Sequence, residues 1–170
     1  MCACRLATVI VVLLLGAAAA TARAPVQISF DHPERFTDAW LDQTHREAAR
    51  SATTRAIGDW LQQLGQRHLR PNQSLAVEVL DIDLAGEFQP LSTRVQNVRI
   101  MRSDTWPKIK LRYTLRQGGQ VVISGEEIVA DLYYLARADE RPSTDPLRYE
   151  KAMLADWFHD RIVEGKPAPR

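Results

Sequence analysis

The sequence predicts a single α+β domain: a mainly antiparallel sheet, in the order β-α-β-β-β-β-α, with one long and one shorter helix packed on one face. Three observations predict it. A helical run of apolar residues precedes a block of strand-like alternation, the pair Gly118-Gly119 marks a hairpin, and a second helical stripe closes the chain. Strands that follow one another, instead of alternating with helices, favour antiparallel pairing with the helices segregated to one side. No repeat, low-complexity tract or internal linker divides residues 25–170.

In VQISFD, Val26, Ile28 and Phe30 alternate with polar neighbours and predict a short first strand. HPERFTDAW breaks that pattern. Thr44 stands three residues before Glu47, the spacing of a capping box, and Ala49, Ala52, Ala56, Ile57, Trp60, Leu61 and Leu64 then recur at helical intervals. A long amphipathic helix over 45–68 follows. Gly58 and Gly65 weaken it without ending it, and Pro71-Asn72 is the stop.

Residues 74–84, SLAVEVLDIDL, read as a strand whose apolar phase changes: Leu75, Val77 and Val79 share one face, Leu80, Ile82 and Leu84 the other. A bulge near Val79 or Leu80 reconciles the halves. A further strand is expected within 94–103. The next, over 107–117, alternates Ile109, Leu111, Tyr113 and Leu115 inward with Lys108, Lys110, Arg112 and Arg116 outward. Both residues of Gly118-Gly119 tolerate positive φ, so QVVISGEEIVADLYY is the returning strand, in a register that sets Lys110 opposite Glu127. A polar loop over 136–144 leads to Asp145 as cap and Pro146 at the first helical position. Tyr149, Met153, Leu154, Trp157 and Phe158 make the stripe of the second helix.

The first 24 residues have the layout of a secretory signal peptide: Arg5, an apolar run from Leu6 to Leu15, then small residues, with cleavage near Ala22 or Ala24. The apolar run is shorter than the roughly 20 residues of a spanning helix, so export without a transmembrane anchor is expected. Cys2 and Cys4 precede that run and would leave with it, giving a cysteine-free mature chain stabilised by packing alone. Removing Arg5 and Arg23 leaves 20 basic residues against 21 acidic ones, a formal charge of −1. That balance argues against a nucleic-acid binder.

Five phrases in order, HPERFTDA, DIDLAGE, WPKIKLRYTL, SGEEIVAD and RYEKAMLADWF, resemble the bacterial family called domain of unknown function 3016. The similarity spans nearly all of residues 25–170. It implies export from a Gram-negative bacterium, periplasmic or secreted, and brings no established activity or catalytic residue. The order of elements is also similar to that of small periplasmic accessory domains of envelope assembly, a likeness of topology alone.

DIDLAGEF gathers Asp81, Asp83 and Glu87 around Gly86 and mimics the opening of an EF-hand loop. Ala85 stands where a third ligand belongs, Glu87 falls one after the glycine, and Ser92 replaces the bidentate glutamate. A strand end and turn, with no metal, is therefore expected there. Glu126, Glu127 and Asp131 form a second acidic group, read as ion-paired to Lys108 and Lys110 on a solvated sheet face. The basic row of that face has an alternative use as a contact for an anionic envelope component. His32, His45, His68 and His159 show no ligand spacing and fall to surface positions or helix ends. No nucleophile elbow, phosphate loop or dinucleotide fingerprint is present, and no cofactor is expected. Trp60 and Trp157 belong to the core, and Trp106 is the tryptophan most free to be exposed.

These readings favour a non-enzymatic, envelope-associated binding module that recognises an envelope protein or polysaccharide. Asp81, Asp83, Glu87, Trp106, Glu127 and Asp131 are its candidate surface. The alternative is a hydrolase of an envelope glycan using Asp81, Asp83 or Glu87 with Glu127 as acid and base, which would require one carboxyl with a raised pKa.

Overall fold

The computed structural model describes residues 26–89, 98–138 and 143–168. The expected signal peptide with Cys2 and Cys4, part of the strand expected over 94–103 and part of the loop expected over 136–144 lie outside these residues. Apolar alternation builds the sheet. β1 (Val26–Phe30), β2 (Gln73–Asp83), β5 (Lys108–Gln117) and β6 (Gln120–Ala130) lie side by side in the order β1-β2-β5-β6. β1 runs parallel to β2, because the helix between them carries the chain back over the sheet, and the other two pairings are antiparallel. β3 (Glu87–Phe88) and β4 (Arg99–Ile100) form a separate two-stranded ribbon, so the strand expected over 94–103 is reduced to β4 among the described residues.

The inner face buries Val26, Leu75, Val77, Val79, Ile82, Ile109, Leu111, Tyr113 and Leu115 beneath α1 (Arg46–His68) and α3 (Arg148–Phe158). α1 covers β1 with Ile57, Leu61 and Leu64, and its two glycines lie on that same buried side. α3 covers the β6 side with Met153, Leu154, Trp157 and Phe158, then passes into a π-helical turn, His159–Val163. A short helix, α2 (Tyr134–Ala138), follows β6 and replaces the start of the expected loop.

Two irregularities set the register. The phase change in β2 is a bulge between Val79 and Asp81, which keeps both apolar halves facing inward. The hairpin turn forms as expected, with Gln117 against Gln120 and positive φ at Gly118 and Gly119. One step later a second bulge intervenes: Arg116 pairs with Val121 but Leu115 pairs with Ile123. The extra residue flips the phase of everything beyond it, so Lys110 faces Ile128 and Glu127 lies opposite inward-facing Leu111. The expected Lys110–Glu127 pair is therefore corrected to Lys110–Glu126, with Nζ to Oε1 at 2.9 Å.

The capping box of α1 is also corrected. Asp42 Oδ1 accepts from the Thr44 hydroxyl at 2.6 Å and from its amide at 2.8 Å, so the hydroxyl is already engaged two residues upstream, and His45 is the N-cap. The expected start of α3 is corrected too: Leu147 is the N-cap and Pro146 precedes it, while Asp145 braces the entry, its Oδ1 accepting from Leu147 N at 2.8 Å and its Oδ2 from Lys151 Nζ at 2.5 Å.

Candidate functional site

The predicted site residues divide between three places. Asp81 and Asp83 lie on the outer face of β2, two positions apart and therefore side by side. Asp81 accepts from the Thr37 amide and hydroxyl, both at 2.7 Å, and Asp83 pairs with Lys108 at 2.7 Å. Across the same face Lys110 and Arg112 converge on Glu126 at 2.9 and 2.8 Å, and Arg112 reaches Glu78 at 2.6 Å. Lys110 and Arg112 together hold the Glu126 carboxyl below its ordinary range. The basic row is thus largely neutralised by neighbouring strands. Among the described residues no three His, Asp or Glu side chains gather closely enough to hold a metal ion.

Glu87 is exposed on β3 beside the DIDLAGE turn. Beneath that turn lies a polar cluster absent from the sequence reading. Arg99 Nη1 donates to the carbonyls of Ala85 and Gly86 at 3.1 and 2.7 Å, and Nη2 grips both Asp38 oxygens at 2.8 Å and the Trp40 carbonyl at 3.0 Å. Its guanidinium also stacks 4.6 Å from the Phe88 ring centroid. From below, Glu150, 1% exposed, accepts the Ala85 amide at 2.8 Å through Oε1. Burial pushes the Glu150 carboxyl up. Burial also raises Asp38, and the Arg99 charge only partly offsets it. Gly86 sits at φ +79°, where a Cβ would meet Met101 Sδ at 2.6 Å and the Ile100 carbonyl at 2.8 Å, so the turn requires glycine. Trp106 packs half-buried beside this turn with Tyr134 and Tyr149, which corrects its expected exposure. Arg99, Asp38 and Glu150 act here as anchors, since Glu150 is closed off from solvent.

Glu127 and Asp131 share the third place, the margin of β6. Because the bulge turns Glu127 inward, its partners come from α3 and the π-helical turn, not from β5. Trp157 Nε1 donates to Oε1 at 2.9 Å and Arg161 Nε spans both oxygens at 3.2 Å. Glu127 and Asp131 are therefore not the sheet-face ion pairs expected from sequence. Burial, with the Glu127 carboxylate next, pushes the Tyr113 hydroxyl up to about 12. Asp131 is buried, and its Oδ1 accepts the Tyr133 amide at 3.0 Å.

A groove of about 200 Å³ opens here, lined by Glu127 through Asp131 on one wall and by Met153, Asp156, Trp157, Asp160 and Arg161 on the other. Four consecutive strand residues, Glu127 to Ala130, cannot line a groove on one sheet face, because their side chains alternate. It therefore runs along the edge of β6. Among the described residues that edge has no neighbouring strand in the sheet. Ile128 (62% exposed), Leu132 and Tyr133 (79% exposed) stand at the same end of the strand. Sequence reasoning missed the edge because strand order is not written in alternation.

Asp81 and Asp83 do not meet Glu127, since they lie on the outer sheet face and it on the inner one, and Glu87 lies in the separate two-stranded sheet. No described helix is long and apolar enough to cross a membrane. A family model described as a protein of unknown function (DUF3016) matches residues 24–160. No curated protein and no solved structure matches the chain significantly.

Proposed function

The chain belongs to the DUF3016 family of proteins of unknown function, and from its geometry we propose a non-enzymatic binding module of the cell envelope that receives an extended segment of another protein along the edge of β6. The observation that carries this reading is the edge, open among the described residues, of an 11-residue strand that ends beside exposed Ile128, Leu132 and Tyr133. An unpaired edge offers a row of backbone donors and acceptors, and natural proteins usually blunt such edges with charge, proline or cover. Here only the hairpin end is distorted, by the bulge at Val121 and Val122, and residues 123–130 pair without a further shift. Addition of a strand would satisfy that edge, with apolar side chains beside it supplying affinity. Export to the periplasm, through cleavage near Ala22 or Ala24, is part of the proposal and is supported by the leader-like first 24 residues.

The test begins with selection of binders from a displayed library of random linear peptides, followed by hydrogen exchange of the complex. Binding is expected to slow exchange of β6 amides and to be lost in Ile128→Lys and in Leu132→Ser/Tyr133→Ser, with thermal stability retained. Protection confined to the outer sheet face or to the DIDLAGE turn would overturn the reading. N-terminal sequencing of protein from a periplasmic fraction checks the export half.

A further inference from the structure

We propose that Glu150 is a pH-operated latch on the DIDLAGE turn: its neutral carboxyl holds Ala85 in place, and loss of the proton releases the turn together with the β3–β4 ribbon. Geometry is the first argument. Glu150 is 1% exposed, its Oε1 accepts from Ala85 N at 2.8 Å, and its Oε2 is buried without a hydrogen-bond partner. One bond to a backbone amide does not compensate a buried anion, whereas a neutral carboxyl in the same place costs far less.

The nearby cations are engaged elsewhere. Arg99, from β4, directs both terminal nitrogens to Asp38 and to the carbonyls of Ala85, Gly86 and Trp40, and its Nε meets no acceptor. On α3 itself, Arg148 donates to the Tyr149 hydroxyl at 2.9 Å and stacks 4.3 Å from that ring's centroid, and Lys151 pairs with Asp145 at 2.5 Å. Burial outweighs the attraction of the two arginines and pushes the Glu150 carboxyl up. Of the other elements packed about Ala85, α2 brings Tyr134 and the segment before α1 brings Asp38, whose carboxyl burial also raises. The turn has the means to open without the sheet. β3 and β4 pair over two residues each, apart from the four-stranded sheet, and Ala85, Tyr134 and Tyr149 form a buried cluster separate from the main core. Such a satellite unit opens at lower free energy than the whole domain. Opening gives Glu150 to water, where the carboxyl ionises near its ordinary 4.5, so the proton released makes opening easier as pH rises.

Amide hydrogen exchange of the full chain, followed by NMR from pH 4.5 upward and corrected for intrinsic rates, tests the latch. The amides of Ala85, Gly86 and Gln89, bonded to Glu150 and to the carbonyls of Thr105 and Val98, report the turn and ribbon. Leu111, in β5 between two strands, reports the whole domain. For one linked proton the opening constant at the first three is expected to climb by up to about tenfold per pH unit, with a smaller change at Leu111. Glu150→Gln keeps an acceptor for Ala85 without the proton equilibrium, so its slope should be shallower, retaining only what Asp38 contributes. An opening constant independent of pH, an equal slope at Leu111 or an equal slope in the variant would overturn the latch. If the variant does not fold, carbon-13 titration of the Glu150 carboxyl in wild-type protein decides: a midpoint in step with the change at Ala85 supports the latch, and one at the ordinary value overturns it.

Discussion

The two glycines of α1 should respond to alanine in opposite ways. At Gly58 an added Cβ meets Phe30 Cε2 and Cζ at 3.7 Å, an ordinary contact. At Gly65 it would lie 1.9 Å from Val26 Cγ2, 3.3 Å from Val26 Cβ and 3.4 Å from Leu69 Cδ1. Carbon atoms settle at about 3.5–4.0 Å. Rotation of Val26 would relieve the first clash but not the tight 3.3 Å approach to its Cβ, and a β-branched residue in a strand turns with difficulty. Both substitutions gain about 0.8–1.0 kcal/mol of helix propensity. Only Gly65→Ala carries overpacking, at about 1–3 kcal/mol. Propensity cancels in the comparison, so Gly65→Ala should be about 1–3 kcal/mol less stable than Gly58→Ala. Gly58→Ala should itself exceed wild type, melting about 2–4 °C higher. Urea unfolding with thermal melts measures both, and Val26→Ala should rescue part of the Gly65→Ala loss. Equal stability of the two variants would refute the close approach of α1 to β1 at Gly65.

Three further outcomes are expected. Arg99→Met leaves Asp38 half-buried without its partner and three carbonyls undonated, a loss of about 3–5 kcal/mol that Asp38→Asn should partly restore in a double-mutant cycle; an Arg99→Met protein as stable as wild type would dismiss the anchor. Glu150→Gln tests the raised carboxyl: a group whose folded pKa lies above its unfolded value of about 4.5 binds its proton more tightly when folded, so stability is lost as pH climbs from that value through the folded pKa. The variant should therefore gain on wild type progressively above pH 4.5, and a difference that stays flat as pH rises from that value in urea titrations contradicts the sign. Millimolar calcium should not raise the melting temperature of chelator-treated protein, since Asp81 and Asp83 already hold Thr37 and Lys108; an upward shift abolished by Asp83→Asn would reveal a site.

Legibility followed the range of the interaction. The outward and inward rows of β5, the Gly118-Gly119 turn, the β2 bulge and the stripe of α3 all came from residues near one another in sequence. The β2 bulge was visible because Val79 and Leu80 interrupt a clean alternation. Its counterpart in β6 was hidden because Val121 and Val122 precede a stretch with no alternation to interrupt, and Glu127 was consequently assigned to the wrong face. Arg99 and Asp38, 61 positions apart, and Glu150 and Ala85, 65 apart, have no periodic signature linking them. The parallel placement of β1 left no mark either, since alternation reports faces and not neighbours.

The buried cluster and the open edge are mechanically connected. β6 ends at a turn in which Asp131 holds the Tyr133 amide, and the next residue, Tyr134, is buried with its hydroxyl donating to the Arg102 carbonyl at 2.7 Å. Its ring meets Tyr149 edge-on at 4.8 Å, one residue from the Glu150 that supports Ala85, whose carbonyl Arg99 holds. Leu132 and Tyr133 are thus displayed between two fixed points, although their own side chains are exposed. A segment already ordered loses little conformational freedom when a partner covers it, so more of the contact energy remains as affinity. Buried polar residues that contact no ligand can serve recognition in this way, by fixing the backbone that presents the apolar anchors. Under the proposed edge binding, the charge on Arg99 and the carboxyl of Glu150 would contribute at β6 through the stability of the DIDLAGE turn and its aromatic neighbours.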